Sequence, residues 1–360
     1  MTRLAKLAKI LRQEKLDALY ITNAASIQYF SNFTGSNGAL FVTRSEKFLL
    51  TDFRYFLVAR RVLPRDIKIL DIGNGMEKQW KSLIKKHRVR RMGLEFSSTT
   101  LSAHERLKSW SAGIAFTDIN TPIAEARISK DAVELRYIRR AQDITDEIFS
   151  ILKKKLKTGM SELDIAWMIE SLAHELGADD ISFTPIIGIN EHAASPHHQN
   201  TDRKLKKGDS ILIDMGVRYR GYCSDMTRML FTKTPTKKQA HIYSIVRDAQ
   251  ESAARMIKAG VHGRDVDAHA RDIIAKAGYG ERFGHSLGHG VGLEVHELPN
   301  LATPYTGILP ERSVVTVEPG IYLDGDFGVR LEDMAIVTKT GHINITKSQK
   351  DLKTCTIRLK

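Results

Sequence analysis

The chain has 360 residues, 42% hydrophobic and 27% charged, with 9 prolines and 25 glycines; it is too long for one ordinary core and fits two domains, and its composition excludes collagen-like, mucin-like and disordered classes. Of the formal charge of +13, +10 falls within residues 1–126. The densest basic stretch, 81–91 (KSLIKKHRVRR), lacks interleaved aromatics for base stacking and reads as a helix with a solvated face leading into a strand, so nucleic-acid binding is not expected.

From the amino end, short apolar runs at 16–22, 39–43, 48–51, 67–72 and 92–96 predict strands, and the patterns at 4–15 and 100–110 predict helices. This is a mixed α/β domain, residues 1–126. At 120–130 (NTPIAEARISK) turn chemistry gives way to a helical pattern carrying Leu135, Ile138, Ile144, Ile148, Ile151 and Leu156, so a second domain is expected over 127–360. Within it, 156–177 and 257–278 align without gaps, placing Lys157 on Lys258, Gly159 on Gly260, Asp164 on Asp265 and Gly177 on Gly278. Each copy reads as a helix pair followed by β patterns, which predicts two similar halves forming one curved sheet backed by helices, with a cleft between them. The amphipathic start has no secretory h-region, no apolar run reaches membrane length, and Cys223 and Cys355 cannot form a disulfide framework. A cytoplasmic location with no membrane partner is expected.

Segment 210–230 (SILIDMGVRYRGYCSDMTRML) reads as a hairpin turning between Tyr219 and Arg220. That register sets Asp214 opposite Asp225, where like charges repel unless cations lie between them. In the second half, VVTVEPG ends in Glu318, and the strand expected over 328–337 carries Glu332 and Asp333. Between hairpin and strands, His285, His289 and His296 are threaded among glycines, offering one nitrogen ligand and others for proton work. Two aspartates, two glutamates and one histidine suit a pair of divalent ions, Mn²⁺ best, with Co²⁺ or Zn²⁺ as alternatives. Four carboxylates balance two such ions, and a bound water's pKa falls towards neutrality. GHSLG at 284–288 satisfies the serine-hydrolase pattern, but no strand precedes Ser286 and no helix follows, so Ser286 is not expected to be a nucleophile.

The ordered set IDMG, CSDMTR, GHSLGHGVGLEVHELP, TVEPGIY and GVRLED resembles the pita-bread metallopeptidases of the aminopeptidase P and prolidase family. The likeness covers essentially the whole chain, and TNAASIQYFSNFTGSNGALFVT and LLTDFRY resemble that family's creatinase-like first domain. It implies an α/β amino-terminal domain and an α+β pita-bread catalytic domain. It implies that Asp214 holds one ion, His289 and Glu318 the other, and that Asp225 and Glu332 bridge both, with Glu318 also handling the proton of the attacking water. His197 would contact the scissile carbonyl with His296 assisting; His285 is a further pocket histidine, and Arg330 would orient substrate or brace Glu332. If the loop slips, His198 takes the part of His197. The implied substrates are short peptides with proline second, whose Xaa-Pro bond lacks an amide N–H. Aminopeptidase P is preferred and prolidase is the alternative; a methionine aminopeptidase-like enzyme and a metal-free binding module rank lower. The family also implies a homodimer in which 32–38 and 52–55 act as lid elements.

Overall fold

In the computed structural model, which describes residues 2–73 and 75–359, the chain divides into two units, Met1–Arg127 and Ile128–Lys360. No helix among the described residues is long and apolar enough to cross a membrane.

The first unit is built on a six-stranded sheet in the order Ile67–Asp71, Lys47–Thr51, Ala39–Thr43, Ala18–Ile21, Arg91–Leu94, Ala115–Asp118. Its centre is antiparallel and its flanks parallel. Parallel neighbours need crossovers; helices Met76–His87 and Leu101–Trp110 provide cover, closing Trp80, Leu83 and Leu107 over Phe41, Met92 and Leu94. Two departures from the sequence reading occur at the end of this unit. The strand Ala115–Asp118 is half exposed and carries no apolar run to announce it. Segment 120–130, read as turn chemistry, contains the helix Asn120–Ile128. Pro122 falls in its first turn, where a missing N–H costs nothing, and Asp118 Oδ1 accepts from Asn120 N at 2.9 Å.

Four helices of the second unit form two pairs, Ala132–Lys155 with Glu162–Glu175 and Lys237–Met256 with Gly263–Lys276. The weak sequence repeat is structural: the inter-helix glycines Gly159 and Gly260 share φ of +88° and +89°, and the terminal Gly177 and Gly278 share +84° and +87°, conformations closed to most side chains. Capping boxes at Asp131 with Glu134 and Ser161 with Asp164 open the first two helices, each worth about 1 kcal/mol. The first pair packs on Ile186–Ile189, Ser210–Met215 and Met226–Phe231, and the second on Val314–Val317 and Asp333–Val337. All these ladders are antiparallel.

The expected hairpin is present with a different register. Tyr219 pairs with Tyr222, Met215 with Met226, and Asp214 with Thr227, not with Asp225. Arg220 and Gly221 form the two-residue tip with φ of +52° and +81°, the doubly left-handed turn that suits strand twist. A slip of two residues leaves every side chain on its original face, so both aspartates still point the same way. The strand expected over 328–337 is interrupted: Phe327–Arg330 and Asp333–Val337 are separate strands, and Glu332 occupies the break. Val317 pairs with Asp333, and one step beyond that ladder come Glu318 and Glu332.

Candidate metal centre

All nine residues singled out for chemistry line one cavity of about 600 Å³ in the second unit: His197, Asp214, Asp225, His285, His289, His296, Glu318, Arg330 and Glu332. Asp214 is the penultimate residue of a fully buried strand, Asp225 sits just before the returning one, and Glu318 follows Val314–Val317. Within the cavity His289 Nε2 lies 3.2 Å from Glu318 Oε1 and 3.7 Å from Asp225 Oδ2. Asp225, His289 and Glu332 each bring a ligand atom within 4.8 Å of the others.

Neighbouring groups set how these side chains point. His289 Nδ1–H donates to Gly290 O at 3.1 Å, which turns Nε2 towards the carboxylates. Thr227 Oγ1 donates to Glu332 Oε2 at 2.7 Å and accepts from Arg330 Nε at 2.9 Å. Thr316 Oγ1 donates to Glu318 Oε1 at 3.2 Å and accepts from His289 N at 3.0 Å. Arg330 pairs through Nη2 with Asp214 Oδ2 at 2.6 Å and donates through Nη1 to Tyr322 Oη and Pro196 O. It therefore braces Asp214 and reaches Glu332 through Thr227.

The histidines divide by environment. His285 donates from Nδ1 to Ser286 O and accepts at Nε2 from Tyr322 Oη, both at 2.8 Å, and burial lowers its pKa. His296 stacks edge-on against His289 with ring centres 4.3 Å apart; burial, then the neighbouring His289, lowers its pKa. His197 faces the cavity, whereas His198 turns away and bonds Glu162 through Nε2. Ser286 lies between a loop and the short strand Gly288–Gly290, without the strand-turn-helix setting of a serine nucleophile. Thr227, Thr316 and Tyr322 escaped the sequence reading because a hydroxyl's partner is set by tertiary contact; alternation along SDMTR was the only available cue for Thr227.

The electrostatics ask for cations. Burial and then mutual repulsion push the carboxyls of Asp225 and Glu332 well above the ordinary range. Burial also raises that of Asp214, against the pull of Arg330. Glu318 goes the other way: burial would raise it, but His289 and Arg330 hold it low. Asp214 Oδ1 is buried with no hydrogen-bond partner among the described residues. An orphaned carboxylate oxygen and two repelling acids beside an imidazole nitrogen fit a divalent-metal donor set.

A cleft of this kind, set between two pseudo-equivalent helix-backed lobes, defines a metallohydrolase class of site. Residues 136–339 match metallopeptidase family M24, and residues 3–129 match the creatinase/prolidase N-terminal domain. An uncharacterized peptidase of Bacillus subtilis is 35% identical over 354 residues, covering 97% of this chain and 99% of its own. Among solved structures, an Xaa-Pro dipeptidase from Bacillus anthracis is 34% identical with a TM-score of 0.94, covering 97% of this chain and 98% of that one. The prolidase from Pyrococcus horikoshii is 32% identical at 0.92, covering 97% and 99%. An X-Pro aminopeptidase from Thermotoga maritima is 35% identical at 0.87, covering 94% and 99%. The chain belongs to metallopeptidase family M24, with a creatinase-type first domain and a pita-bread second domain.

Proposed function

We propose that this peptidase is an Xaa-Pro dipeptidase of the prolidase type, acting on dipeptides whose second residue is proline. The observation that carries metal-dependent hydrolysis is the convergence of Asp214, Asp225, His289, Glu318 and Glu332 in one buried cleft. The preference for prolidase over aminopeptidase P, a change from the sequence reading, is supported by whole-chain likeness to an Xaa-Pro dipeptidase and to prolidases. The T. maritima relative keeps aminopeptidase P as the competing reading.

The five side chains would hold two divalent ions, Mn²⁺ by preference for an oxygen-rich set. When bound, such ions supply Lewis acidity towards the scissile carbonyl and lower the pKa of water. That route needs no substrate amide N–H, which an Xaa-Pro bond lacks. Glu318 receives the proton of the attacking water, its Oε1 held in place by the Thr316 hydroxyl at 3.2 Å. His197 and His296 face the cavity and orient the substrate carbonyl. His285, with both ring nitrogens engaged, shapes the pocket as a neutral ring. Arg330 holds Asp214 and the Tyr322 hydroxyl in place. A cytoplasmic homodimer completes the reading.

With Mn²⁺, an Xaa-Pro dipeptide is expected to be hydrolysed at least about tenfold faster than Xaa-Pro-Yaa, and Met-Ala to be left intact. Preference for the tripeptide assigns aminopeptidase P instead. His197→Ala is expected to keep both ions and lose about 100-fold in kcat/KM; metal analysis beside steady-state kinetics checks it, and loss of metal would move His197 into the ligand set.

A further inference from the structure

Two carboxylates of the second unit lie outside the metal cleft and are yet completely buried: Glu162 and Asp267, both 0% exposed. They stand on the second helix of each repeated pair, Glu162–Glu175 and Gly263–Lys276. Glu162 Oε1 accepts from Ile189 N at 3.0 Å and His192 Nδ1 at 2.8 Å. Its Oε2 accepts from His198 Nε2, Thr201 N and Thr201 Oγ1 at 2.8, 2.9 and 2.8 Å. Every donor lies in the segment 189–201 that carries His197. Asp267 Oδ1 accepts from Leu287 N at 2.9 Å, and both its oxygens accept from Arg271. Arg271 in turn donates to Phe283 O and His285 O at 2.9 and 2.8 Å. Those bonds fasten the segment 283–287 that carries His285.

A buried carboxylate is costly unless donors surround it. Burial raises the pKa of Glu162, but its donors, His198 foremost, bring it below the ordinary value. Both lobes thus spend a buried charge on holding a histidine-bearing loop. Glu162, His192 and His198 also have the makings of a metal site. Against that, the two imidazoles address different oxygens and three further donors, one on Oε1 and two on Oε2, leave no acceptor site open, so the protein itself closes the cluster.

We propose that Glu162 and Asp267 are positioning residues, one per lobe, which fix the loops presenting His197 and His285 to the cleft. The inference rests on the peptidase reading for its kinetic arm only. In the metal-loaded enzyme, Glu162→Gln is expected to speed amide hydrogen exchange across 189–201 and leave 283–287 unchanged, with Asp267→Asn doing the reverse. Each variant is expected to keep the wild-type ion content and lose roughly 10–100-fold in kcat/KM on an Xaa-Pro dipeptide. Combined with His197→Ala, Glu162→Gln should add no further loss, and Asp267→Asn should add none to His285→Ala. Multiplicative losses, exchange rising equally in both loops, or release of a third ion from Glu162→Gln would overturn the proposal. If Glu162→Gln does not fold, Thr201→Val, which removes a single donor, must show the same non-additivity with His197→Ala. Absence of Xaa-Pro turnover in the wild type would overturn the substrate reading alone, and the exchange pattern would then decide the clamp.

Discussion

Asp225→Ala is expected to strip the cleft of its ions and reduce turnover by roughly three orders of magnitude or more, the equivalent of about 4 kcal/mol of transition-state stabilisation. The carboxyl of Asp225 lies 3.7 Å from His289 Nε2, and its near neighbours include Glu332 and Asp214. A carboxylate so placed contributes to any ion held there, whichever side that ion occupies. Asp225→Asn gives a sharper version, keeping shape and removing one charge. In metal-free protein that variant should melt higher than the wild type, because it relieves the repulsion that raises the Asp225 carboxyl. With metal present the order should reverse. Elemental analysis, kinetics and paired melting curves measure all three effects; normal turnover by Asp225→Ala would remove this residue from the metal set.

Chelation should abolish activity and lower the melting temperature together. A ligand present at about 1,000 times its Kd stabilises the folded state by about 4 kcal/mol. For a unit the size of Ile128–Lys360 this amounts to a Tm shift of roughly 8–16 °C. The physical origin is local: without cations, Asp214, Asp225 and Glu332 share a buried cleft in which burial and mutual repulsion penalise their charges. Differential scanning calorimetry before and after dialysis against a chelator, with Mn²⁺ added back, reads the shift and its reversal. An unchanged melting curve with full activity would defeat the metal-centre reading.

Much of the site was legible because burial and charge conflict in plain sight. A strand of Ile211, Leu212 and Ile213 running into Asp214, and one of Val314, Val315 and Val317 running into Glu318, demand a partner for the acid. The helix pairs were legible through their glycines, since Gly159, Gly177, Gly260 and Gly278 do adopt the left-handed conformations that end helices and turn loops. What stayed hidden depends on contacts between distant segments or on local exceptions. The hairpin register turned on Arg220 accepting φ of +52°, an uncommon conformation for a non-glycine residue. Glu162 reads locally as an ordinary acidic residue in a helix's first turn, yet its carboxylate is engaged up to 39 positions along the chain. Tyr322 and Thr227 acquire their significance only when Arg330 comes between them.

The hairpin between Asp214 and Asp225 also constrains how this chain tolerates insertions and deletions. Side chains alternate along each arm, so adding one residue between either aspartate and the Arg220–Gly221 tip must be absorbed as a bulge or it rotates that acid out of the cleft. Adding two residues to both arms together keeps each side chain's face and the hydrogen-bonded pair that flanks the tip, and merely lengthens the ribbon. Length variation here should therefore come in balanced pairs, and an unpaired deletion should silence the enzyme while leaving its fold intact.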